Sequence, residues 1–317
     1  MNSAFAAPHF HNDEAARKLI EQVRWPEGPV CSHCGTINHA YAVTGRPGLY
    51  RCAEKECRKD FTCTTGTIME RSKIALHKWM MGFYLMNASK KGVSAHQLHR
   101  ALGVTYQTAW FMCHRIREAM RDGGLGPLGG GGGGSGIVEV DETYYGPTEK
   151  PKVSPQRRGR PVTKSGKSGP ANKRAIVALV ERGGNLRSFH VAVADKDSVS
   201  KIVTENVAKE ARLFTDESRL YFGADQHFAD HQTVKHSAGE YVRGDVHTNT
   251  IEGAFSIFKR GMKGVYQHCK EKHLHRYLAE FDFRYNHRTG LGYSDIDRTY
   301  AAIRGVEGKR LMYRQPH

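Results

Sequence analysis

The 317-residue sequence predicts a multidomain chain of mixed α+β and α/β class. It has a zinc ribbon, a helical helix-turn-helix region and a mixed-sheet catalytic core. Three observations predict this. Paired cysteines crowd the first sixty residues, and two short helices with a glycine break follow them. Beyond a glycine run, apolar strand-length segments alternate with segments of helical period.

The domains expected in order are an N-terminal helix at 1–24, a ribbon at 25–66 and a helix-turn-helix region at 67–122. A Gly-rich linker at 123–136, a core at 137–290 with a basic insertion at 147–174, and a tail at 291–317 complete the chain. The helix at 12–24 opens on Asn-Asp-Glu, a capped start. The ribbon follows Cys31-x2-Cys34, seventeen residues, then Cys52-x4-Cys57. Thiolates are soft ligands that suit tetrahedral zinc, and four of them leave no open position, so the expected Zn2+ is structural. About forty residues hold too little core to fold without such a staple. Cys63 is the rival to Cys57 as fourth ligand. Cys113 and Cys269 are lone and are read as small buried residues. The odd count of seven cysteines and the absence of a signal peptide predict reduced thiols in a cytoplasmic, nucleoid-associated setting.

Ile74–Met86 carries Trp79, Phe83 and Tyr84 at helical spacing. Ser94–Met120 reads as two helices broken at Gly103, with Ser94 and Thr105 as caps and Leu98, Leu102, Ala109, Met112 and Ile116 inward. Tyr106, Gln107, His114, Arg115 and Arg117 are then expected to face a DNA groove and its phosphates. In the core, strands are expected at Gly136–Tyr145, Ala175–Val180, Ser188–Ala194 and Leu213–Thr215, and helices at Ser198–Ala211, Thr248–Gly261 and Glu271–Tyr285.

A net charge of +16 calls for an anionic partner, and a polyphosphate fits better than an anionic membrane. No apolar run is long enough for a span. The segment Lys150–Arg174 holds nine Lys or Arg, and its Arg157-Arg158-Gly-Arg160 suits a minor-groove arm or phosphate clamp.

Three carboxylates complete the reading. Asp141 ends Val138-Glu-Val-Asp, Asp216 ends Leu213-Phe-Thr-Asp, and Glu252 lies one turn into a helix. Glu139 and Asp141 share a strand face, while Glu142 points opposite. Asp225 and Asp230 compete with Asp216, and Asn249 competes with Glu252 as the third ligand or else caps the helix. Lys259 lies two helical turns beyond Glu252, on roughly its face. Hard oxygens from three elements suit two Mg2+ or Mn2+ ions in phosphodiester chemistry. His231, His236 and His247 lie near this region and are read as substrate or supporting contacts rather than a zinc site.

The chain resembles the bacterial insertion-sequence transposases with an N-terminal zinc ribbon, the IS1595 family. The matching stretches are Trp25-Pro…Cys31-x-x-Cys34-Gly, Thr65-Gly-Thr-Ile-Met, Leu102-Gly-Val-Thr-Tyr-Gln-Thr-Ala-Trp and Val138-Glu-Val-Asp-Glu-Thr-Tyr-Tyr-Gly146. They continue in order with Phe214-Thr-Asp216, His236-Ser-x-Gly-Glu-Tyr-Val, His247-Thr-Asn-x-Ile-Glu252 and Phe283-Arg-Tyr-Asn-His-Arg288. The resemblance implies an RNase H-like core and a DDE-type metal mechanism, with Asp141 and Asp216 as the first two acids. It leaves Asn249 and Glu252 open as the third, and metal chemistry favours Glu252. It also implies binding of double-stranded DNA, at element ends and target, by a dimer or larger homo-oligomer. A non-catalytic DNA-binding regulator and a metal-dependent nuclease that never joins are the alternatives.

Overall fold

The computed structural model describes residues 4–121, 126–131, 134–148, 172–228 and 230–311. The chain divides into two compact units. One comprises Met1–Arg121 with Tyr293–His317, and the other Asp122–Gly292.

The first unit opens with helix α1 (Asp13–Arg24), capped by the Asn12 side chain on the Ala15 N–H. Three short strands follow, β1 (Ala40–Ala42), β2 (Tyr50–Cys52) and β3 (Asp60–Phe61), in one antiparallel sheet. Trp25, Tyr50 and Phe61 pack as an aromatic triad with centroids 5.7–5.8 Å apart. Helix α2 (Leu76–Ala88) buries Trp79, Phe83 and Met86.

Helices α3 (Ala95–Leu102) and α4 (Tyr106–Ala119) form the expected helix-turn-helix pair. Ser94 and Gln97 make a reciprocal capping box, and Thr105 caps α4. Between them Gly103 adopts φ 58°, a left-handed conformation that a side chain disfavours.

Residues 291–317, expected as a tail, instead contribute helix α8 (Asp295–Arg304) to this unit. Ser294 and Asp297 form its capping box, and Arg298 donates to the Asn87 carbonyl at the end of α2 at 2.7 Å. Just past α8, Gly305 meets the Ala119 carbonyl so closely that a Cβ would stand 2.3 Å from its oxygen. Helix α8 packs against α1, α2 and α4.

The second unit is built on a five-stranded sheet. Its strands are β4 (Ile137–Pro147), β5 (Lys173–Glu181), β6 (Leu186–Val191), β7 (Arg212–Asp216) and β8 (Asp230–Val234), in spatial order β6-β5-β4-β7-β8. The first three run antiparallel, and β7 and β8 are parallel to β4. That order and mixture of directions is RNase H-like. Strand β8 (Asp-His-Gln-Thr-Val) has no apolar run to announce it.

Alternation divides the sheet's side chains between two cores. Val138, Val140, Val177 and Leu179 pack on one face with Val199 and Val203 of helix α5 (Lys196–Asn206). Ile176, Ala178 and Val180 pack on the other with α6 (Asn249–Gly261) and α7 (Leu274–Asn286). Helix α5 stops five residues short of the expected Ala211. There the Asn206 carbonyl accepts from the Leu128 N–H, and Ala208 N–H donates to the Leu128 carbonyl. The described part of the glycine segment is thus docked on the core, with Leu128 buried and a Cβ at Gly129 only 2.5 Å from that of Ala211. The basic stretch carrying Arg157, Arg158 and Arg160 lies outside the described residues. Arg174, at its end, is buried and donates to the Pro147 and Cys269 carbonyls.

Candidate active site

Strands β4 and β7 pair in parallel register, with Val138 opposite Leu213 and Glu139 opposite Phe214. Continued two positions, that register brings Asp141 beside Asp216 on the same face. It is the face that carries α6. Burial, with the charges of Glu142, Asp216 and Glu252 adding to it, pushes the Asp141 carboxyl up to about 8. Burial also raises Asp216, with Glu217 adding, while the Ser218 N–H on its Oδ1 and nearby His236 act against the rise. Asp141 of β4 therefore lies in a carboxylate cluster with Glu142, Asp216 of β7 and, least in influence, the half-exposed Glu252 of α6. This cluster is looser than the cysteine site. Among the described residues, ligand atoms within 4.8 Å of one another in a group of three or more are those of the four cysteines.

At the start of α6 the cap residue's own side chain is not bonded to the helix, and the local side-chain acceptor is His247 Nδ1, 3.3 Å from the Asn249 N–H. Thr248 occupies the cap position with only its carbonyl bonded to the helix, accepting from the Glu252 N–H, and Asn249 is the first helical residue, exposed. The helix is instead met by Glu139 of β4, which is fully buried. Its Oε2 accepts from the Thr250 and Ile251 N–H groups at 2.9 and 3.0 Å, and its Oε1 from Thr250 Oγ1 at 2.8 Å. Arg182 Nε donates to the same Oε1 at 2.6 Å. Arg182 also donates to the Asp245 and His247 carbonyls, so it pins the loop ahead of α6. His247 faces Arg182 and Glu139 rather than the acids.

Of the other histidines, His236 lies nearest the cluster. Its Nε2 is 3.4 Å from Thr248 Oγ1 and 3.9 Å from a Glu252 oxygen. His231 pairs with Thr215 Oγ1 at 3.0 Å, on the side of β7 opposite Asp216. Lys259 is exposed, with its ammonium 6.0 Å from the Phe255 ring. On the far face of β4, Glu142 accepts from the buried Tyr221 hydroxyl at 2.8 Å. Asp230 is held by Arg212 at the edge of the sheet, at 2.9 Å. Sequence reasoning placed Glu139 on the face of Asp141 but gave it no role. Arg182 carried no sequence signal at all.

In the first unit, Cys31, Cys34, Cys52 and Cys57 bring their Sγ atoms within 4.8 Å of one another. The closest pairs are Cys34–Cys52 at 3.6 Å and Cys31–Cys57 at 3.8 Å. Tight turns at each pair aim the sulfurs, as in Gly35 N–H to the Cys31 carbonyl at 2.8 Å. Cys63 is buried, outside this group, and burial pushes its thiol up to about 12.

On the helix-turn-helix, Tyr106 is 45% exposed and stacks on His96 at 4.3 Å, and Gln107 is exposed beside it. Arg115 is half-buried over the Phe111 ring at 4.7 Å. Arg117 and His114, expected to face outward, are buried at 2% and 1% exposure. Helix α4 packs with α2, α3 and α8, and its buried face extends beyond the stripe that the local pattern marks.

A sheet of this order, with acids on adjacent strands and on the helix packed against them, and a four-cysteine ribbon in the same chain, defines a DDE-type transposase. The comparisons with known proteins agree. The ISXO2-like transposase domain matches residues 134–286, and the transposase zinc-ribbon domain matches residues 11–60. An uncharacterized protein in transposable element ISH50 of Halobacterium salinarum is 30% identical over 283 residues, which cover 87% of this chain and 91% of that protein. The chain belongs to the IS1595 family of DDE transposases, enzymes that cleave DNA. That relative is archaeal. No helix among the described residues is long and apolar enough to cross a membrane.

Proposed function

We propose that this chain binds the terminal inverted repeats of its own element, hydrolyses a phosphodiester to free a 3′-hydroxyl, and joins that hydroxyl to target DNA by direct transesterification. The observation that carries this reading is the cluster itself: the β4–β7 register sets Asp141 beside Asp216, and burial, then the charges of Glu142, Asp216 and Glu252, raise Asp141 to about 8. Crowding like charges in a partly desolvated place is unfavourable unless a cation joins them. A hard-oxygen donor set of this kind fits Mg2+ or Mn2+, and Asp141, Asp216 and Glu252 would hold two such ions. Bound there, the ions would supply activation of the attacking oxygen and neutralisation of charge on the leaving one. Glu252 is preferred to Asn249 because its charge reaches Asp141 and because a carboxylate is the harder ligand. Asn249 sits exposed at the first helical position, facing substrate from the rim. Lys259 serves the substrate phosphates as a point charge.

Zn2+ is the ion for Cys31, Cys34, Cys52 and Cys57, in a structural role. Tyr106, Gln107 and Arg115 carry the helix-turn-helix contacts to DNA, and Arg157, Arg158 and Arg160 clamp phosphates or the minor groove. Arg117 is left out of that set because it is buried. Synapsis of two ends calls for a dimer or larger assembly on DNA.

The test incubates the protein with element-end DNA, target DNA and Mg2+, beside Asp141→Ala, Asp216→Ala, Asn249→Ala and Glu252→Ala. Loss of cleavage in the Asp141, Asp216 and Glu252 variants is expected. Removing a ligand to the reacting centre should cost at least about a hundredfold in rate, the scale seen when one electrostatic stabiliser is lost. Normal cleavage by Asp216→Ala overturns the triad. Cleavage without joining identifies a nuclease, and binding without cleavage by the wild type identifies a regulator.

A further inference from the structure

We infer that Glu139 is a positioning residue: its carboxylate clamps the first turn of α6 to β4 and so fixes Glu252 against Asp141. This rests on the reading of Asp141, Asp216 and Glu252 as the metal-holding set.

The bonds to Glu139 all serve the helix start or its approach. Two backbone N–H groups and one hydroxyl of α6 end on this one side chain, 111 and 112 positions away in sequence. A helix N-terminus carries unpaired N–H groups and a partial positive charge, and a carboxylate answers both. A local Ser, Thr, Asp or Asn at position 248 would serve a helix that needed only a cap. Thr248 is present, but its side chain does not bond the helix; only its carbonyl does, accepting from the Glu252 N–H at 3.1 Å. The cap comes instead from the strand that bears Asp141. Glu139 and Asp141 are two residues apart on one face, about 6.6 Å along the strand. Glu252 directly follows Ile251, whose N–H is one of those held. One carboxylate therefore ties the first acid to the third through a very short lever. Arg182 completes the arrangement. It offsets the buried charge of Glu139 and fixes the Asp245 and His247 carbonyls, so the chain entering α6 is held as well as the helix.

The test measures Mn2+ binding by the full-length protein without DNA, with free Mn2+ followed by its paramagnetic resonance. Hydrogen exchange at Thr250 and Ile251 and thermal unfolding are recorded on the same samples. Glu139→Gln keeps an acceptor oxygen but loses the charge. It is expected to bind Mn2+ about tenfold more weakly, the low end for loss of a group that orients a ligand, and to exchange faster at Thr250 and Ile251. Thr250→Val removes a single hydrogen bond and should move both readings the same way by less. It stands in for Glu139→Gln should that variant fail to fold. Val203→Ala, on the opposite face of the sheet, is the control for general destabilisation and should leave Mn2+ affinity unchanged.

Unchanged exchange at Thr250 and Ile251 in Glu139→Gln overturns the clamp. Faster exchange with wild-type Mn2+ affinity, while Asp141→Ala loses the ion, overturns the positioning role and leaves a helix cap. Wild-type Mn2+ affinity in Asp141→Ala overturns instead the metal reading on which the inference rests.

Discussion

Asp141 sits in a partly desolvated pocket among other acids, and the consequence is measurable without any substrate. Its carboxyl is pushed up to about 8, mainly by burial, from about 3.9 in an unfolded chain. In that window the unfolded state has released the proton while the folded state still holds it. Linkage then makes stability fall as pH rises from about 4 to about 8. The metal-free wild type is expected to lose melting temperature across this range, and Asp141→Asn, which has no proton to lose, should lose less. Adding Mg2+ at pH 8 should restore the wild type and leave Asp141→Asn nearly unchanged. A wild-type melting temperature flat from pH 5 to 8, after other titrations are matched in the variant, would refute the crowded-acid account. Glu139 poses a different residue-level problem. It is fully buried with Arg182 as its counter-charge, and stripping one partner from such a pair costs roughly 3–5 kcal/mol. Arg182→Ala should therefore lower unfolding free energy by about that amount in a denaturant titration. It should cost more than Arg212→Ala, whose partners Asp230 and Asp245 are solvent-exposed enough to be screened.

At the scale of elements, α4 shows how a local pattern can be correct in kind and wrong in extent. Its caps, its turn at Gly103 and its stripe of Ala109, Met112 and Ile116 were all legible, because each depends on neighbours within a few residues. The burial of Arg117 was not, because burial depends on the helices packed around α4, one of which, α8, returns from the far end of the chain. The same distinction runs through the core. Asp141 and Asp216 could be placed at the ends of apolar runs, and Glu252 on a helix. The clamp at Glu139 joins residues more than a hundred positions apart and leaves no periodic trace. Strand β8 carries no apolar signal because its residues are polar, and its place follows from pairing with β7. A direct consequence is that two residues on one helix should fail differently. Tyr106→Ala, at an exposed position, should weaken DNA binding and leave the melting temperature within about 2 °C, since exposed substitutions cost little. Arg117→Ala should destabilise by about 2 kcal/mol or more through lost packing and buried hydrogen bonding. Any loss of DNA affinity should then track the folded fraction. A DNA defect in fully folded Arg117→Ala would show that the helix presents another face to DNA.

For the whole molecule, the two compact units have separate cores, with the four cysteines in one and the proposed metal-holding acids in the other, and that separation can be tested in one experiment. The ribbon of the first unit is three strands of two or three residues each, with one aromatic triad beneath them. So small a structure takes most of its folding free energy from the ion at its four thiolates. The second unit has a five-stranded sheet packed on both faces and is expected to fold without an ion. Its acids, if anything, are relieved by one. A thiol-competing zinc chelator should therefore melt the ribbon and abolish repeat-specific DNA binding, while the core keeps its own calorimetric transition and its Mn2+ affinity. The charge of +16 spread over the chain adds a second readout. Non-specific DNA affinity that engages six to ten phosphates falls about 10³–10⁵-fold between 50 and 200 mM salt. Chelation should flatten that salt dependence only in part, because cations of the core remain. Were the chelator to unfold both units together, or to remove Mn2+ affinity along with zinc, the core would depend on the ribbon for its stability and the division of labour argued here would fail.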